Sequence, residues 1–249
     1  MRVVQIICAK GFSRRIPRKN LHPFCGHPLV YWPILQGMTA KLVDEVIVST
    51  ESEEIAAVAE ELGAEVFMRQ YKDDDATPGG VPFFEVLDSL LAKGRVTKED
   101  IVVSAWAPNC LLRPGDTDRM VRTLMHLNRQ TFGACESLPL RSEERTISID
   151  VRIGPNQAKH VINCINIPAN YSDTGTILIG KSITSASYIK MYYREPAPVH
   201  LQRGVTYYMD VEGWQMQDMD TPEEMELGEV LMNHYVLKGR EGLEVYREN

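Results

Sequence analysis

The chain lacks several features that would place it at once in a large class of proteins. No run of apolar residues approaches the roughly 20 that a membrane span requires, and nothing at its start resembles a signal peptide. The five cysteines are odd in number and none is spaced as CxxC, which excludes a disulfide scaffold and a zinc ribbon. We therefore expect a cytoplasmic protein with unpaired thiols and no membrane partner.

Acidic residues are absent from the first 43 positions, although the whole chain has a net charge of −7. This segment holds seven basic residues, and five of them fall between Lys10 and Lys19. An acidic protein with one basic cluster is poorly suited to bind nucleic acid through bulk positive charge. The pattern favours a local site for a small polyanion, with an ordinary solvated loop as the alternative.

Strands and helices alternate along the first half of the chain. Short, nearly continuous apolar runs predict buried strands at 3–9 and 45–50, and further strands are predicted at 64–68 and 100–104. Helices are predicted between and after them at 28–40, 52–62, 83–91 and 116–127. This alternation is typical of βαβ units, so we expect a three-layer α/β fold with a mostly parallel sheet.

The second half of the chain has a weaker pattern. Residues 137–171 read as an insertion, and strands are predicted again at 176–179 and 207–209. A final helix is predicted at 222–237, and we expect the charged tail after Lys238 to fray. With no low-complexity linker and no repeat, residues 1–249 are predicted to form one domain that carries this insertion.

The loop after the first predicted strand is the first candidate site. Ligands of an open parallel sheet bind beyond the carboxyl ends of its strands, where Lys10, Arg14 and Lys19 would neutralise a triphosphate. Gly11 would permit close backbone approach and Ser13 a hydroxyl contact. The loop matches neither the GxxxxGK[ST] nor the GxGxxG pattern.

The second candidate site is the pair Asp218 and Asp220. On an extended segment residues i and i+2 face the same side, so the two carboxylates can converge on one hard cation. Thr221 and Pro222 then begin a helix as its N-cap and first residue. From local sequence alone, a role of the aspartates in that cap is the favoured alternative.

Residues 7–20 and 26–29 resemble the opening signature of the acylneuraminate cytidylyltransferases, the CMP-sialic acid synthetase family. That signature reads approximately A-R-x-x-S-K-x-[IL]-P-x-K-N, followed by G-x-P-L. Lys10 stands where the family has Arg, and Arg14 stands where it has Lys. The matching residues of the loop are Ser13, Pro17, Lys19 and Asn20.

Further segments are similar to the family in the same order along the chain. They are residues 48–56 (V-S-T-D-S-E-E-I-A in the family), 63–66 with Arg69 (G-A-E-V, then R-P), 109–114 (S-P-L-L-R-P) and 218–224 (D-I-D-T-P-E-D). The resemblance implies a Rossmann-like nucleotidyltransferase fold. It also implies a homodimer, with the insertion at 137–171 as the dimerisation element.

The activity implied by the resemblance is transfer of CMP from CTP to a nonulosonic or 3-deoxy sugar acid, with release of pyrophosphate. The implied catalytic residues are Lys10, Lys19, Asp218 and Asp220, and the two aspartates would hold Mg²⁺. The implied nucleotide contacts are Lys10, Gly11, Ser13, Arg14, Lys19, Asn20, Arg69 and Thr77. The implied acceptor contacts are Trp106, Asn109 and Ser172.

The departures from the family concern the acceptor. The family has small residues around the position of Phe12, whereas Phe12 and Arg15 are bulky. Trp106 replaces a Gln, Cys110 a Pro, and Ser172 the Arg that binds the sugar carboxylate. Loss of that Arg removes a contact of about 1.5–3 kcal/mol, which disfavours N-acetylneuraminate itself. A small phosphonate acceptor, a different nucleotide with a sugar phosphate, and a non-catalytic nucleotide-binding homologue remain as alternatives.

Overall fold

The computed structural model describes residues 1–70, 81–96, 100–122, 164–166, 177–179, 190–192, 213–217 and 219–248. The strands in these ranges are β1 (Val3–Cys8), β2 (Pro23–Phe24), β3 (His27–Pro28), β4 (Glu45–Thr50), β5 (Glu65–Met68), β6 (Ile101–Ala105), β7 (Cys164–Asn166), β8 (Ile177–Ile179) and β9 (Lys190–Tyr192). The helices are α1 (Tyr31–Thr39), α2 (Glu53–Glu61), α3 (Val81–Ala92), α4 (described over 116–122), α5 (Pro222–Met232) and α6 (Gly242–Arg247). In the part of the chain so described, no helix is long and apolar enough to cross a membrane.

The main sheet has the strand order β5-β4-β1-β6-β7. Its first four strands run parallel, and β7 pairs antiparallel with β6. In the central strand, Ile6 lies opposite Ile47 of β4 and Ser104 of β6. This confirms the predicted parallel sheet, and the continuous apolar runs of β1, β4 and β6 follow from burial on both faces.

Two hydrophobic cores enclose this sheet, one on each face. On one side, Ile7 and Val48 pack in a core with residues of α1, α2, α5 and α6. On the other, Val4 and Ile6 pack in a core with residues of α3. Neighbouring β1 residues alternate between the two cores because side chains alternate along a strand. The fold is therefore a three-layer α/β arrangement of the Rossmann-like kind, as predicted.

The structure confirms the helix predicted at 52–62 and the N-cap predicted at Thr221. The Ser52 side chain accepts a hydrogen bond from Ile55 N at 3.4 Å and starts α2. Gly63 ends the same helix with a φ of +83°, a conformation that favours glycine. Thr221 caps α5 in a capping box with Glu224, which satisfies backbone N–H groups that have no partner inside the helix.

Helix α1 begins at Tyr31 and not at residue 28, because the preceding residues form a short hairpin. Strands β2 and β3 pair antiparallel around a turn at Cys25 and Gly26. Leu29 N donates to His22 O, and Val30 N donates to Asn20 O, both at 2.9 Å. The hairpin therefore brings the start of α1 back against the end of the basic loop.

The prediction that the tail after Lys238 frays is wrong. Helix α6 packs on α1, with Val245 and Tyr246 each 3% exposed. Gly242 lies so close to Trp32 that a Cβ atom there would be 2.5 Å from the indole ring. The Tyr246 hydroxyl donates to Leu112 O and accepts from an amide of α1. The sequence did not indicate this packing, because charged residues stand between the small and apolar residues with which the segment contacts the core.

Several predicted elements lie outside the described residues. The strand predicted at 207–209 and most of the insertion at 137–171 belong to them. Residues 164–166, inside the predicted insertion, form β7 at one edge of the main sheet. The remainder of the insertion stays a prediction.

Replacing Tyr246 with phenylalanine tests the role of α6. The variant leaves Leu112 O without its buried donor, so we expect the free energy of unfolding to fall by about 1–3 kcal/mol in urea denaturation. Tyr235→Phe is the matched control, because Tyr235 is 37% exposed and its loss should stay within about 0.5 kcal/mol. Equal losses in the two variants would contradict a structural role for the Tyr246 hydroxyl.

Candidate functional site

The strand order places a site beside β1. The chain runs from β1 outward to β4 and β5 on one side, and then returns to β6 on the other side of β1. Ligands of open α/β sheets bind at the carboxyl ends of the strands where the order reverses in this way. Two segments follow these strand ends, namely residues 9–20 after β1 and residues 106–114 after β6. Residues 9–20 are called here the phosphate loop, after the ligand that the sequence predicts for them.

The phosphate loop is held to the protein by buried residues. The Asn20 side chain donates to Lys10 O at 2.8 Å and so joins the two ends of the loop. Ile16, only 5% exposed, anchors the middle of the loop in the core. Arg14 lies between these anchors with an exposed side chain. The loop therefore presents positive charge from a backbone that is fixed at three points.

Gly11 is required by close packing. Its backbone N–H donates to Glu51 Oε1 at 2.6 Å, and a Cβ at this position would lie 3.0 Å from Ser52 Cβ. The next residue, Phe12, is 54% exposed. The glycine thus lets the phosphate loop lie against the residues that follow β4.

Arg69 lies beneath this loop. Its guanidinium donates to Ser49 O at 3.0 Å, to Ser49 Oγ at 3.2 Å and to Glu51 Oε2. The Arg69 side chain is fully buried. Its predicted contact with a nucleotide stays a prediction, while the structure gives it a partner, Glu51, that the sequence did not indicate.

Lys19 and Arg15 meet Asp220, which lies about 200 positions further along the chain. Lys19 Nζ donates to Asp220 Oδ1 at 2.7 Å, and Arg15 pairs with the other carboxylate oxygen. Partial burial of Asp220 opposes its ionisation, but hydrogen bonds and charges from Lys19 and Arg15 outweigh that effect and lower its pKa. The residue is therefore an ionised carboxylate at neutral pH.

The segment before α5 aims Asp220 at the loop. Met219 is fully buried, and a Cβ at Gly228 would lie 3.0 Å from its Sδ, so α5 packs tightly against this side chain. The N–H groups of Asp220 and Thr221 donate to Glu224 Oε2 at 2.9 and 2.8 Å. Thr221 and Glu224 form the helix cap, which leaves the Asp220 carboxylate to the basic side chains. The capping alternative is therefore wrong for this carboxylate.

The donor chemistry of Asp220 fits Mg²⁺ bound together with a nucleotide. Magnesium ions usually take one or two carboxylates and complete their octahedron with phosphates and water. The Asp220 side chain is 33% exposed and supplies hard oxygen donors. Within the described ranges no cluster of three His, Cys, Asp or Glu residues could hold a metal on its own. Asp218, the other predicted ligand, lies outside those ranges.

The segment after β6 is fixed by hydrogen bonds from three distant elements. The carbonyls of three consecutive residues accept from buried side chains: Cys110 O from Gln36 at 2.6 Å, Leu111 O from Gln215 at 3.1 Å, and Leu112 O from Tyr246. No sequence motif pointed to these donors. They hold in place the chain that follows the predicted acceptor residues.

The predicted acceptor residues are described only in part. Trp106 is half-buried directly after β6, and Asn109 ends a short 3₁₀ helix, Ala107–Asn109. Thr77 and Ser172 lie outside the described residues. The structure therefore brings Lys19 and Arg15 of the loop to Asp220, while the acceptor set stays a prediction.

The pairing of Asp220 can be tested by titration. We expect the Asp220 carboxyl to titrate below its ordinary value of about 3.9, and Lys19→Met to raise the midpoint, as followed by the ¹³C shift of the carboxyl. Because the folded pKa is lowered, the pair stabilises the fold above about pH 4 and this contribution is lost as pH falls through the lowered pKa. Arg18→Met is the control, since Arg18 contacts Glu54 instead. A midpoint that does not respond to Lys19→Met would contradict the pairing.

Comparison with known proteins identifies the family of this chain. A family model described as cytidylyltransferase matches residues 4–241. The 3-deoxy-manno-octulosonate cytidylyltransferase of a Nitratiruptor species is 29% identical over 183 residues, 70% of this chain and 71% of that protein. The pseudaminic acid cytidylyltransferase of Campylobacter jejuni is 40% identical over 110 residues, 43% of this chain and 47% of that protein.

A third relative is the CMP-N,N'-diacetyllegionaminic acid synthase of Legionella pneumophila, 31% identical over 127 residues, which are 51% of each chain. The matches to this protein and to the Campylobacter enzyme thus span about half the length of those relatives. The family model, in contrast, spans nearly the whole chain. The chain therefore belongs to the cytidylyltransferase family and is a nucleotidyltransferase enzyme.

Proposed function

We propose that this enzyme transfers CMP from CTP to a nonulosonic or 3-deoxy sugar acid and releases pyrophosphate. The observation that carries the proposal is the meeting of Lys19, Arg15 and Asp220 on the phosphate loop, beside the central strand. The relatives named for 3-deoxy-manno-octulosonate, pseudaminic acid and diacetyllegionaminic acid support a sugar acid as the acceptor class.

The proposed reaction is a displacement at the α-phosphorus of CTP. A hydroxyl oxygen of the acceptor forms the new bond to phosphorus and releases its proton to water. The bond from the α-phosphorus to the oxygen that bridges to the β-phosphate breaks, and pyrophosphate leaves with that electron pair. Such transfers require mainly that the reactants be positioned and that negative charge be neutralised.

The phosphate loop supplies both requirements. Lys10, Arg14 and Lys19 would bind the triphosphate and neutralise the charge on departing pyrophosphate, while Ser13 would donate its hydroxyl to a phosphate oxygen. Asn20 fixes the loop through its bond to Lys10 O. Lys19 is only 14% exposed and its ammonium group is held at the loop by Asp220, so a positive charge is already present where the polyanion would bind.

The remaining residues of the proposal surround this loop. Asp220, with Asp218, would hold Mg²⁺, which when bound neutralises charge on the phosphate oxygens. Lys19 and Arg15 now bind Asp220. When CTP binds, these two side chains would release Asp220 and bind phosphate oxygens instead. Trp106, Asn109 and Ser172 are proposed to contact the acceptor, and Thr77 the nucleotide. A homodimer through the insertion at 137–171 is also part of the proposal, supported by the family resemblance.

Pyrophosphate release measures the proposed reaction directly. The assay combines the enzyme and Mg²⁺ with CTP, UTP or GTP, and with a panel of nonulosonic acids, 3-deoxy-octulosonates and 2-aminoethylphosphonate. We expect release with CTP and a sugar acid only. Release with the phosphonate alone would overturn the acceptor class, and preference for another nucleotide would overturn the cytidylyl donor.

Lys19→Met tests the charge that the loop contributes. Removal of one oriented donor from a site of developing charge costs about 10²–10³ in turnover, so we expect a fall of that size in kcat with the CTP assay. Arg18→Met is the matched control, because Arg18 lies one position away, is 60% exposed and pairs with Glu54. Activity of Lys19→Met within about threefold of the control would contradict the proposed role.

A further inference from the structure

The two carboxylate oxygens of Glu51 accept hydrogen bonds from two different residues, Gly11 and Arg69. Its Oε1 accepts from the Gly11 N–H of the phosphate loop at 2.6 Å, and its Oε2 accepts from the Arg69 guanidinium. Both side chains are hidden from solvent, Glu51 at 9% and Arg69 at 0% exposure. A buried ion pair therefore lies directly under the first turn of the loop.

This pair connects the carboxyl ends of three neighbouring strands. Arg69 follows β5, and its backbone N–H donates to Thr50 O of β4 at 2.8 Å. Its guanidinium also donates to the backbone and the hydroxyl of Ser49 in β4. Glu51 follows β4, and Gly11 follows β1. The arginine is thus fixed by its position after β5 and by its hydrogen bonds to β4. Through Glu51 it fixes the loop that follows the central strand, β1.

The charges of Glu51 and Arg69 also affect how strongly the loop can attract a triphosphate. The Gly11 N–H donates to Glu51, so this hydrogen bond is already used and is not offered to a phosphate oxygen. A buried carboxylate at this position would repel a triphosphate, and such a charge is only weakly screened by solvent. The Arg69 guanidinium cancels that charge while leaving the hydrogen bond to Gly11 in place.

We infer that Glu51 and Arg69 are a positioning pair for triphosphate binding: Glu51 holds the Gly11 turn, and Arg69 neutralises Glu51 beneath the phosphates. This inference rests on the proposed function, and it assigns Arg69 to the support of the loop and not to contact with the nucleotide. Neither residue touches the reacting atoms in this account.

The test compares Arg69→Met, Glu51→Gln and the double variant Glu51→Gln/Arg69→Met by calorimetric binding of CTP with Mg²⁺, which requires no acceptor. Arg69→Met leaves an unneutralised buried carboxylate, so we expect CTP binding to weaken by at least about tenfold. In the double variant the glutamine amide oxygen still accepts from Gly11 and carries no charge. We therefore expect its CTP affinity to return to within about threefold of the wild type.

Arg95→Met is the matched control. Arg95 bridges Glu45 and Glu65 at the amino ends of the same strands, β4 and β5. The variant therefore removes an arginine that joins the same two strands, from a more exposed position far from the loop. We expect its CTP affinity to stay within about twofold of the wild type, even if its unfolding midpoint falls. If Arg95→Met lost as much CTP affinity as Arg69→Met, the effect of Arg69→Met would be explained by general destabilisation. That result would overturn the inference.

The double variant decides between charge compensation and direct contact. If Arg69 contacted the nucleotide, removal of the Glu51 charge would not restore binding, and a double variant as weak as Arg69→Met would overturn the inference. Should Arg69→Met not fold, the double variant alone still tests the claim, since a loss above about tenfold contradicts it. A wild-type enzyme that does not bind CTP would instead overturn the proposed function, and this inference with it.

Discussion

The pairing of Lys19 with Asp220 is the interaction on which the site depends. Five basic residues fall within ten positions of this loop, and their positive charges repel one another. Asp220 supplies the opposite charge from near the other end of the chain, held there by Met219 in the core and by Glu224 at the cap of α5. The same carboxylate thus holds two basic side chains and, in the proposed function, would be a ligand of Mg²⁺ bound with the nucleotide.

The sheet determines where this pair can act. Because β4 and β6 flank β1, the loop after β1 opens at the point where the strand order reverses. The two segments at that opening are fixed in different ways. The phosphate loop lies on a buried ion pair between Glu51 and Arg69, whereas the chain after β6 is held through its carbonyls by Gln36, Gln215 and Tyr246. Rigid support of both segments suits a reaction that depends on aligning two substrates.

The sequence predicted the elements whose signals are local. Apolar runs predicted β1, β4 and β6, a strand was also predicted at β5, and Thr221 marked the start of α5. The family motifs identified the basic loop and Asp220 as parts of one site, and the structure brings them together. Contacts between residues far apart in the chain gave no local signal in the sequence. Arg15 contacts Asp220, which lies 205 positions further along the chain. Arg69, which follows β5, is fully buried and pairs with the carboxylate of Glu51. Helix α6 was missed because its charged residues conceal a face of Gly242, Val245 and Tyr246 that packs on the core.

The central claim is that the loop after β1 binds the triphosphate of CTP with the cations that Asp220 orders. A crystal structure of the enzyme with CTP and Mg²⁺ tests it most directly. The account predicts the phosphates along residues 10–19, with Lys19 Nζ within hydrogen-bond distance of a phosphate oxygen and the Gly11 N–H still directed at Glu51. A triphosphate bound elsewhere, or Lys19 making no phosphate contact while CTP is bound, would contradict the account.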